Sequence, residues 1–319
     1  MEQLYTFGNY LRDKFGCRVQ KVGINISGFT CPNIDGTVAY GGCTFCENDS
    51  FSASSGEVQE LKGFYLNLTS KENPHLEKQL KQLETQFYTL SKRQKDEYGA
   101  EKFIVYFQSF TNTYAPLETI KALYEKALSF ENVIGLSIGT RSDSVTDETL
   151  EYLAQLSREK EIWIEFGIQS IYDETLKKIN RGHDSANVKE LILRAKSKGL
   201  NVCGHLIFGL PNESKEMMIE TARAAYAWGI DSVKYHPLYV VKKTALANEF
   251  LRGEFNPISE QEYLEVLLES VRLKPSNVSV QRVTAGIDND TLLSPDWCRD
   301  KNIQIKNINN VLKRLNLKY

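Results

Sequence analysis

Short β-rich runs alternate with amphipathic helical segments along most of the chain, and this alternation narrows the fold more than any other feature of the sequence. Runs at 19–27, 103–107, 133–138, 162–168, 202–208 and 232–235 are rich in Val, Ile, Phe and Tyr, the side chains that suit a pleated, half-buried surface. Between them, Leu76, Leu80, Leu83, Phe87 and Leu90 recur at steps of four and three. Ile120, Leu123 and Ala127, then Leu150, Leu153 and Leu156, do the same, and each set forms one apolar stripe on a helix. Helical text also covers 172–179, 187–198 and 214–228. Asn73 and Pro74 suit the cap and first turn of the first long helix, while the charged stretch 94–99 reads as a solvated turn. Six such units predict an α/β fold, a partial (β/α)6 barrel of the TIM type, over residues 1–245. Beyond it, helical text at 260–273 and 305–317 with a strand at 277–283 predicts a C-terminal α+β extension over 246–319, packed on the barrel.

One loop interrupts this regular text. Directly after the first strand run, Cys31, Cys43 and Cys46 fall within a stretch that also holds Gly36, Gly41 and Gly42. Glycine accepts positive φ without steric cost, so such a loop can fold tightly around one centre. A Cys-x-x-Cys pair alone also fits a redox dithiol or half of a zinc ribbon. A structural zinc site wants four protein ligands, and no fourth Cys or His follows nearby. Three thiols therefore read best as a [4Fe–4S] cluster held through three irons, with the fourth iron left for a small molecule. A zinc site completed from afar and unliganded thiols are the competing readings. Cys17, Cys203 and Cys298 read as structural.

The remaining composition sets bounds. The 319 residues are 41% hydrophobic and 25% charged, ordinary for a globular chain, and the net charge of −2 makes no case for or against a polyanionic partner. Six cysteines, half of them clustered, are too few for a disulfide framework and predict a reducing, cytoplasmic setting. Residues 1–16 lack the apolar core of a signal peptide, and no run is long enough for a membrane helix.

In a barrel of this type the active site lies at the carboxyl ends of the strands, so the residues there are the candidates. They are the polar run Gln108, Ser109 and Thr111; Arg141 and Asp143; Glu165 and Gln169; Arg181 and His183; His205 and Gly209; and Lys234, His236, Lys242 and Lys243. Each also has a plain structural account: Asp143 or Ser185 as a helix cap, Glu165 as a buried ion-pair partner, the turn at 209–211 as only a turn. His75 reads as exposed and inert, and His205 and His236 as ligand-binding or core histidines.

Several ordered motifs resemble those of radical S-adenosylmethionine enzymes, in particular the bacterial group related to the catalytic subunit of Elongator. They are 28–33 (Gly-Phe-Thr-Cys-Pro-Asn) with 41–46 (Gly-Gly-Cys-Thr-Phe-Cys), 106–116, 138–141 (Ile-Gly-Thr-Arg), 165–170 (Glu-Phe-Gly-Ile-Gln-Ser), 180–183 (Asn-Arg-Gly-His), 205–211, 234–238 and 294–297. The resemblance spans nearly the whole chain. It implies that Cys31, Cys43 and Cys46, in a cluster loop at 29–49, hold the [4Fe–4S] cluster. S-adenosylmethionine would chelate the fourth iron and be cleaved by one electron to a 5′-deoxyadenosyl radical that abstracts hydrogen from substrate. It further implies that Gln108, Ser109 and Thr111 contact the methionine amine and Arg181 its carboxylate, a pairing suited to a guanidinium fork. Gln169 and His205 would lie near the ribose and Gly209 near the adenine, with Glu165 a further polar contact. The chain departs from the wider family in having Gln108-Ser-Phe where many members have Gly-Gly-Glu, in its longer cysteine spacing, and in Ile34 where relatives often carry Arg.

Relatives of this group are linked to wobble-uridine modification in tRNA, which implies conversion of a carboxymethylaminomethyl uridine to its aminomethyl form. The partners implied are tRNA, a flavodoxin- or ferredoxin-type electron donor and a downstream tRNA methyltransferase. The basic residues Arg299, Lys301, Lys306, Lys313, Arg314 and Lys318 could grip phosphates or simply form a solvated helix face. Two alternatives stand beside this: a radical enzyme for a small metabolite or porphyrin precursor, and an iron–sulfur protein that only transfers electrons or senses redox state.

Overall fold

A computed structural model describes residues 1–46, 61, 63–284, 286–287 and 290–319; residues 47–49 of the predicted cluster loop lie outside them. In chain order the first elements are β1 (Glu2–Gln3), α1 (Phe7–Phe15), β2 (Val19–Ile24), α2 (Leu76–Tyr98), β3 (Lys102–Phe107) and α3 (Leu117–Leu128). There follow β4 (Val133–Thr140), α4 (Asp147–Leu156), β5 (Glu161–Gln169), α5 (Asp173–Lys178), α6 (Ser185–Ser197), β6 (Asn201–Phe208) and α7 (Lys215–Ala227). The chain ends with β7 (Ser232–Pro237), β8 (Val240–Val241), α8 (Ala245–Leu251), α9 (Glu260–Leu273), β9 (Ser279–Arg282), β10 (Leu292–Ser294), α10 (Lys301–Leu312) and β11 (Leu317–Lys318).

The main sheet is a parallel half-barrel of seven strands in the order β2-β3-β4-β5-β6-β7-β9. Six are the predicted βα strands. The seventh comes from the predicted extension: β9 pairs in parallel with β7, Ser232 opposite Ser279, so the stretch beyond residue 246 completes the wall. Side chains alternate across each strand, and this parity separates two environments. Val22, Val105, Leu136, Ile164, Leu206 and Val233 face the helices and belong to one large core. On the concave side the lower end is plugged by α1, whose Phe7 and Leu11 pack with Ile104, Trp163 and Cys203. Above that plug the concave face turns polar.

Helix starts follow capping chemistry. Thr6, Thr146, Ser214 and Thr244 accept hydrogen bonds from backbone N–H groups of α1, α4, α7 and α8. Ser259 and Glu262 form a reciprocal capping box on α9. The cap of α6 is Asp184, one residue before the predicted Ser185, because its carboxylate reaches the Asn187 N–H. Residues 94–97, read as part of a turn, continue α2 to Tyr98, with Gly99 at φ 63 closing it; Gln94 bonds back to the Lys21 carbonyl. α2 starts at Leu76, later than Asn73 predicts, and Asn73 instead accepts from the His75 N–H. His75, expected to be exposed, is half-buried edge-on against Phe64.

Candidate functional site: a strand-end cavity beneath a cysteine loop

The turn after β2 is shaped by its glycines. Gly36, Gly41 and Gly42 have φ of 87, 79 and 77, a region where a side chain is strained, and at Gly36 a Cβ would also meet the Tyr40 ring. The loop closes on itself through Ile34 N–H to Cys31 O (2.8 Å), Gly42 N–H to Asn33 O (2.8 Å) and Cys46 N–H to Cys43 O (2.9 Å). It is then fastened to the segment after α5. The fully buried Asn33 amide donates to the Arg181 carbonyl at 2.9 Å, Asn180 donates to the Gly42 carbonyl at 2.8 Å, and Thr44 N–H reaches Ile179 O at 3.0 Å. Arg181 places Nη1 3.7 Å from Cys43 Sγ and donates Nη2 to the Gly167 carbonyl at 3.0 Å. None of the six cysteines is in a disulfide.

Cys31, Cys43 and Cys46 line one cavity of about 480 Å³ together with the ends of the strands. Of the other sequence-predicted residues, Gln108, Ser109, Thr111, Arg141, Glu165, Gln169, Arg181, His205, Lys234 and His236 line it as well. Gly209 does not. Its backbone, at φ 94, packs where a Cβ would strike Ile258, and its N–H faces Met218 Sδ at 3.0 Å. Sequence reasoning missed Tyr106, Tyr239 and Arg282 in the wall and Asn33 beneath the loop. Asn33 could have been singled out, since it directly follows Cys31-Pro32 in the loop, and Tyr106, since it opens the motif 106–116; Tyr239 and Arg282 carry no local signal.

The interior floor is a charge cluster centred on Glu165, which has no solvent exposure. One carboxylate oxygen bonds Lys21 and Ser137, the other Lys234 and, at 2.7 Å, His205 Nε2. Burial alone would raise the Glu165 pKa, but Lys21, Lys234 and His205 outweigh it and hold the carboxyl well below its usual range. Burial and Lys234 push His205 down to about 4, so its ring is neutral. Lys21 is pushed by burial down to about 8 despite Glu165 beside it. Glu165, Cys203 and His205 are close enough to suggest a metal trio, but two ammonium groups already occupy that carboxylate.

At the upper end the polar groups are less satisfied. Gln169 Oε1, Arg181 Nε and Arg141 Nη1 are buried without a hydrogen-bond partner among the described residues, although the Arg141 guanidinium also pairs with Asp143. A buried polar atom left unpaired costs about 1–3 kcal/mol. Three such atoms around one cavity, beside three thiols, fit a polar small molecule held next to a thiolate-bound cluster.

The radical SAM superfamily model matches residues 38–225, and the model of the radical SAM C-terminal domain matches residues 230–314. The chain belongs to the radical SAM superfamily, whose members use a [4Fe–4S] cluster and S-adenosylmethionine, and it is an enzyme of that class. It is 34% identical over 300 residues to the uncharacterized protein YtqA of Bacillus subtilis, covering 94% of this chain and 86% of that one. It is 31% identical over 157 residues to a tRNA uridine(34) acetyltransferase of Methanocaldococcus infernus, covering 48% of this chain and 29% of that protein. Among solved structures, Methanocaldococcus infernus Elp3 lacking its N-terminus superposes with a TM-score of 0.59 at 20% identity, over 93% of this chain and 64% of that one. Among the described residues, no helix is long and apolar enough to cross a membrane.

Proposed function

We propose that this radical SAM enzyme modifies the side chain of the wobble uridine in tRNA, converting a carboxymethylaminomethyl group to an aminomethyl group. The observation that carries the reading is the joining of the cysteine loop and the partly unsatisfied polar wall in one cavity. The substrate follows from the relative named for tRNA uridine 34. In this reading Cys31, Cys43 and Cys46 hold the cluster, and Gln108, Ser109, Thr111, Gln169 and Arg181 hold S-adenosylmethionine. Bound there, the two supply reductive cleavage of a sulfonium and a carbon radical able to take hydrogen from substrate. The chain's own work is placement and exclusion of water. Arg181 braces Cys43 and keeps its Nε for the ligand, while Glu165, with both oxygens bonded to protein groups, and His205, whose Nε2 bonds Glu165, fix the floor. Residues 1–245 act as the catalytic core, and 246–319 as an extension that supplies β9. The exposed Lys306, Lys313, Arg314 and Lys318 at the C-terminal end are suited to tRNA phosphates. A flavodoxin- or ferredoxin-type protein supplies the electron, and a separate methyltransferase consumes the aminomethyl product.

The test is nucleoside mass spectrometry of total tRNA from wild type, a deletion, and the deletion complemented with Cys43→Ala. The expected result is accumulation of carboxymethylaminomethyl uridine in the last two strains and its clearance by the wild-type gene. Identical profiles in all strains would remove the tRNA reading.

A further inference from the structure

Among the described residues, the cavity lining holds more cations than its one carboxylate, Glu165, can neutralise. Register places His205 on β6 opposite Lys234 on β7, and Lys234 opposite Arg282 on β9. Lys234 is committed to Glu165, as is Lys21. Arg141 is paired with Asp143, and Arg181 stands beside Cys43. Arg282 is different. It lines the cavity, and its Nη1 donates to His236 Nε2 at 3.0 Å, which accepts as a neutral imidazole. Among the described residues, no carboxylate lies within salt-bridge distance of its guanidinium.

A second, independent observation lies beside it. Tyr239 lines the same cavity and is only 6% exposed, yet its hydroxyl has no hydrogen-bond partner among the described residues. Burial raises its pKa, so it remains a donor. Lys301, at the start of α10, adds a further cation to this wall. Among the described residues, the half-buried guanidinium has no counterion and the buried hydroxyl no acceptor, and the two are complementary to one chemical group, an anion with two oxygens. The site is three strands along the sheet from β5, whereas Arg181, which follows α5, is braced on Cys43. It is thus separate from the place where S-adenosylmethionine is assigned.

We propose that Arg282 and Tyr239 form a seat for a carboxylate of the substrate, so that the cavity selects substrates carrying that group. This rests on the cavity being the reaction chamber assigned above. It holds whether the carboxylate belongs to the carboxymethyl arm of a tRNA nucleoside or to a free metabolite. A planar fork on a carboxylate gives both energy and orientation, so the seat would fix which carbon beside the carboxylate faces the cysteine end. A site built around such a group also rejects analogues lacking it, because its own polar atoms are then left unpaired.

The test uses the anaerobically reconstituted, S-adenosylmethionine-loaded protein and saturation-transfer NMR with N-methylglycine and its amide. The acid is expected to bind roughly tenfold or more tightly than the amide. Arg282→Gln should erase that preference and Arg282→Lys keep part of it, since an ammonium is a point charge and not a fork. Tyr239→Phe should lower it a few-fold, and the exposed Arg223→Gln should leave it unchanged. Circular dichroism and iron content report whether each variant folds and loads. Equal binding of acid and amide by wild type, or a preference surviving in Arg282→Gln, overturns the seat. Repeating the comparison with tRNA bearing carboxymethylaminomethyl or aminomethyl uridine separates the two readings. If wild type binds neither tRNA while the acid preference depends on Arg282, the seat stands and the tRNA reading falls.

Discussion

The floor of the cavity and the loop along its upper edge are both crowded with polar groups, but they are built by opposite rules. On the floor, Glu165 spends both oxygens on Lys21, Ser137, Lys234 and His205. Around the loop, Arg181 Nε, Gln169 Oε1 and Arg141 Nη1 have no partner among the described residues, and the backbone is held in conformations that only glycine adopts freely. A saturated network sets a scaffold, because every member fixes its neighbours; an unsaturated one keeps its bonding capacity for a ligand. On the reading proposed above, the floor is structural and the edge is the binding side.

The largest effect should come from the floor. Glu165→Gln keeps the shape but removes the carboxylate that bonds Lys21 and Lys234, leaving the buried Lys234 and the half-buried Lys21 without that counterion. Breaking a buried pair from one side costs about 3–5 kcal/mol, to be read by anaerobic chemical denaturation. Adding Lys21→Met should recover part of that loss, because the remaining charge imbalance is smaller. A Glu165→Gln variant as stable as wild type would mean that the floor is not a scaffold.

At the loop the expected effect is smaller in stability and more specific. Gly182 has φ 82, and a Cβ there would lie 2.5 Å from Asn33 Oδ1, the side chain that ties the cysteine loop to Arg181. Gly182→Ala should cost on the order of 1–3 kcal/mol in backbone strain. It should also weaken S-adenosylmethionine binding, measured by equilibrium dialysis, while Glu165→Gln/Lys21→Met binds normally. The reverse pattern would exchange the roles of the two regions.

Much of this architecture is written locally. The six strands of the predicted barrel were legible within three residues of their ends, because period-two and period-3.6 patterns report which face each segment buries. The cysteine loop was legible because its chemistry lies within sixteen residues. What was not legible depends on distant partners. Lys21 and Glu165 are 144 positions apart, and nothing around Lys21 marks it as facing into the barrel. Arg282 looked like part of an extension because α8 and α9 precede β9 and break the regular alternation. Tyr239 gave no signal, since an unsatisfied hydroxyl is a property of its surroundings. Gly209 lies outside the cavity lining, its left-handed backbone packed against Ile258.

The smallest effect sharpens the comparison with a second partly buried carboxylate that has no cation. Glu213 accepts from Ser170 through one oxygen, and its other oxygen is buried without a partner. Burial raises its pKa to about 7, with the Ser170 and Thr175 bonds opposing only in part. Below about pH 4.5 the carboxyl is protonated in both folded and unfolded chains and contributes no pH dependence. Between about 4.5 and 7 the unfolded chain releases the proton while the folded chain keeps it, so wild-type stability falls as pH rises, levelling off above 7. Glu213→Gln removes that term. Its stability relative to wild type should therefore grow across this window, by on the order of 1–3 kcal/mol, in urea titrations at pH 5, 6, 7 and 8. Glu165, held low by its cations, gives the opposite sign: its contribution is present at neutral pH and lost on acidification. If the Glu213→Gln advantage is flat with pH, burial does not govern that carboxylate, and the contrast between cation-matched and unmatched carboxylates in this fold loses its second member.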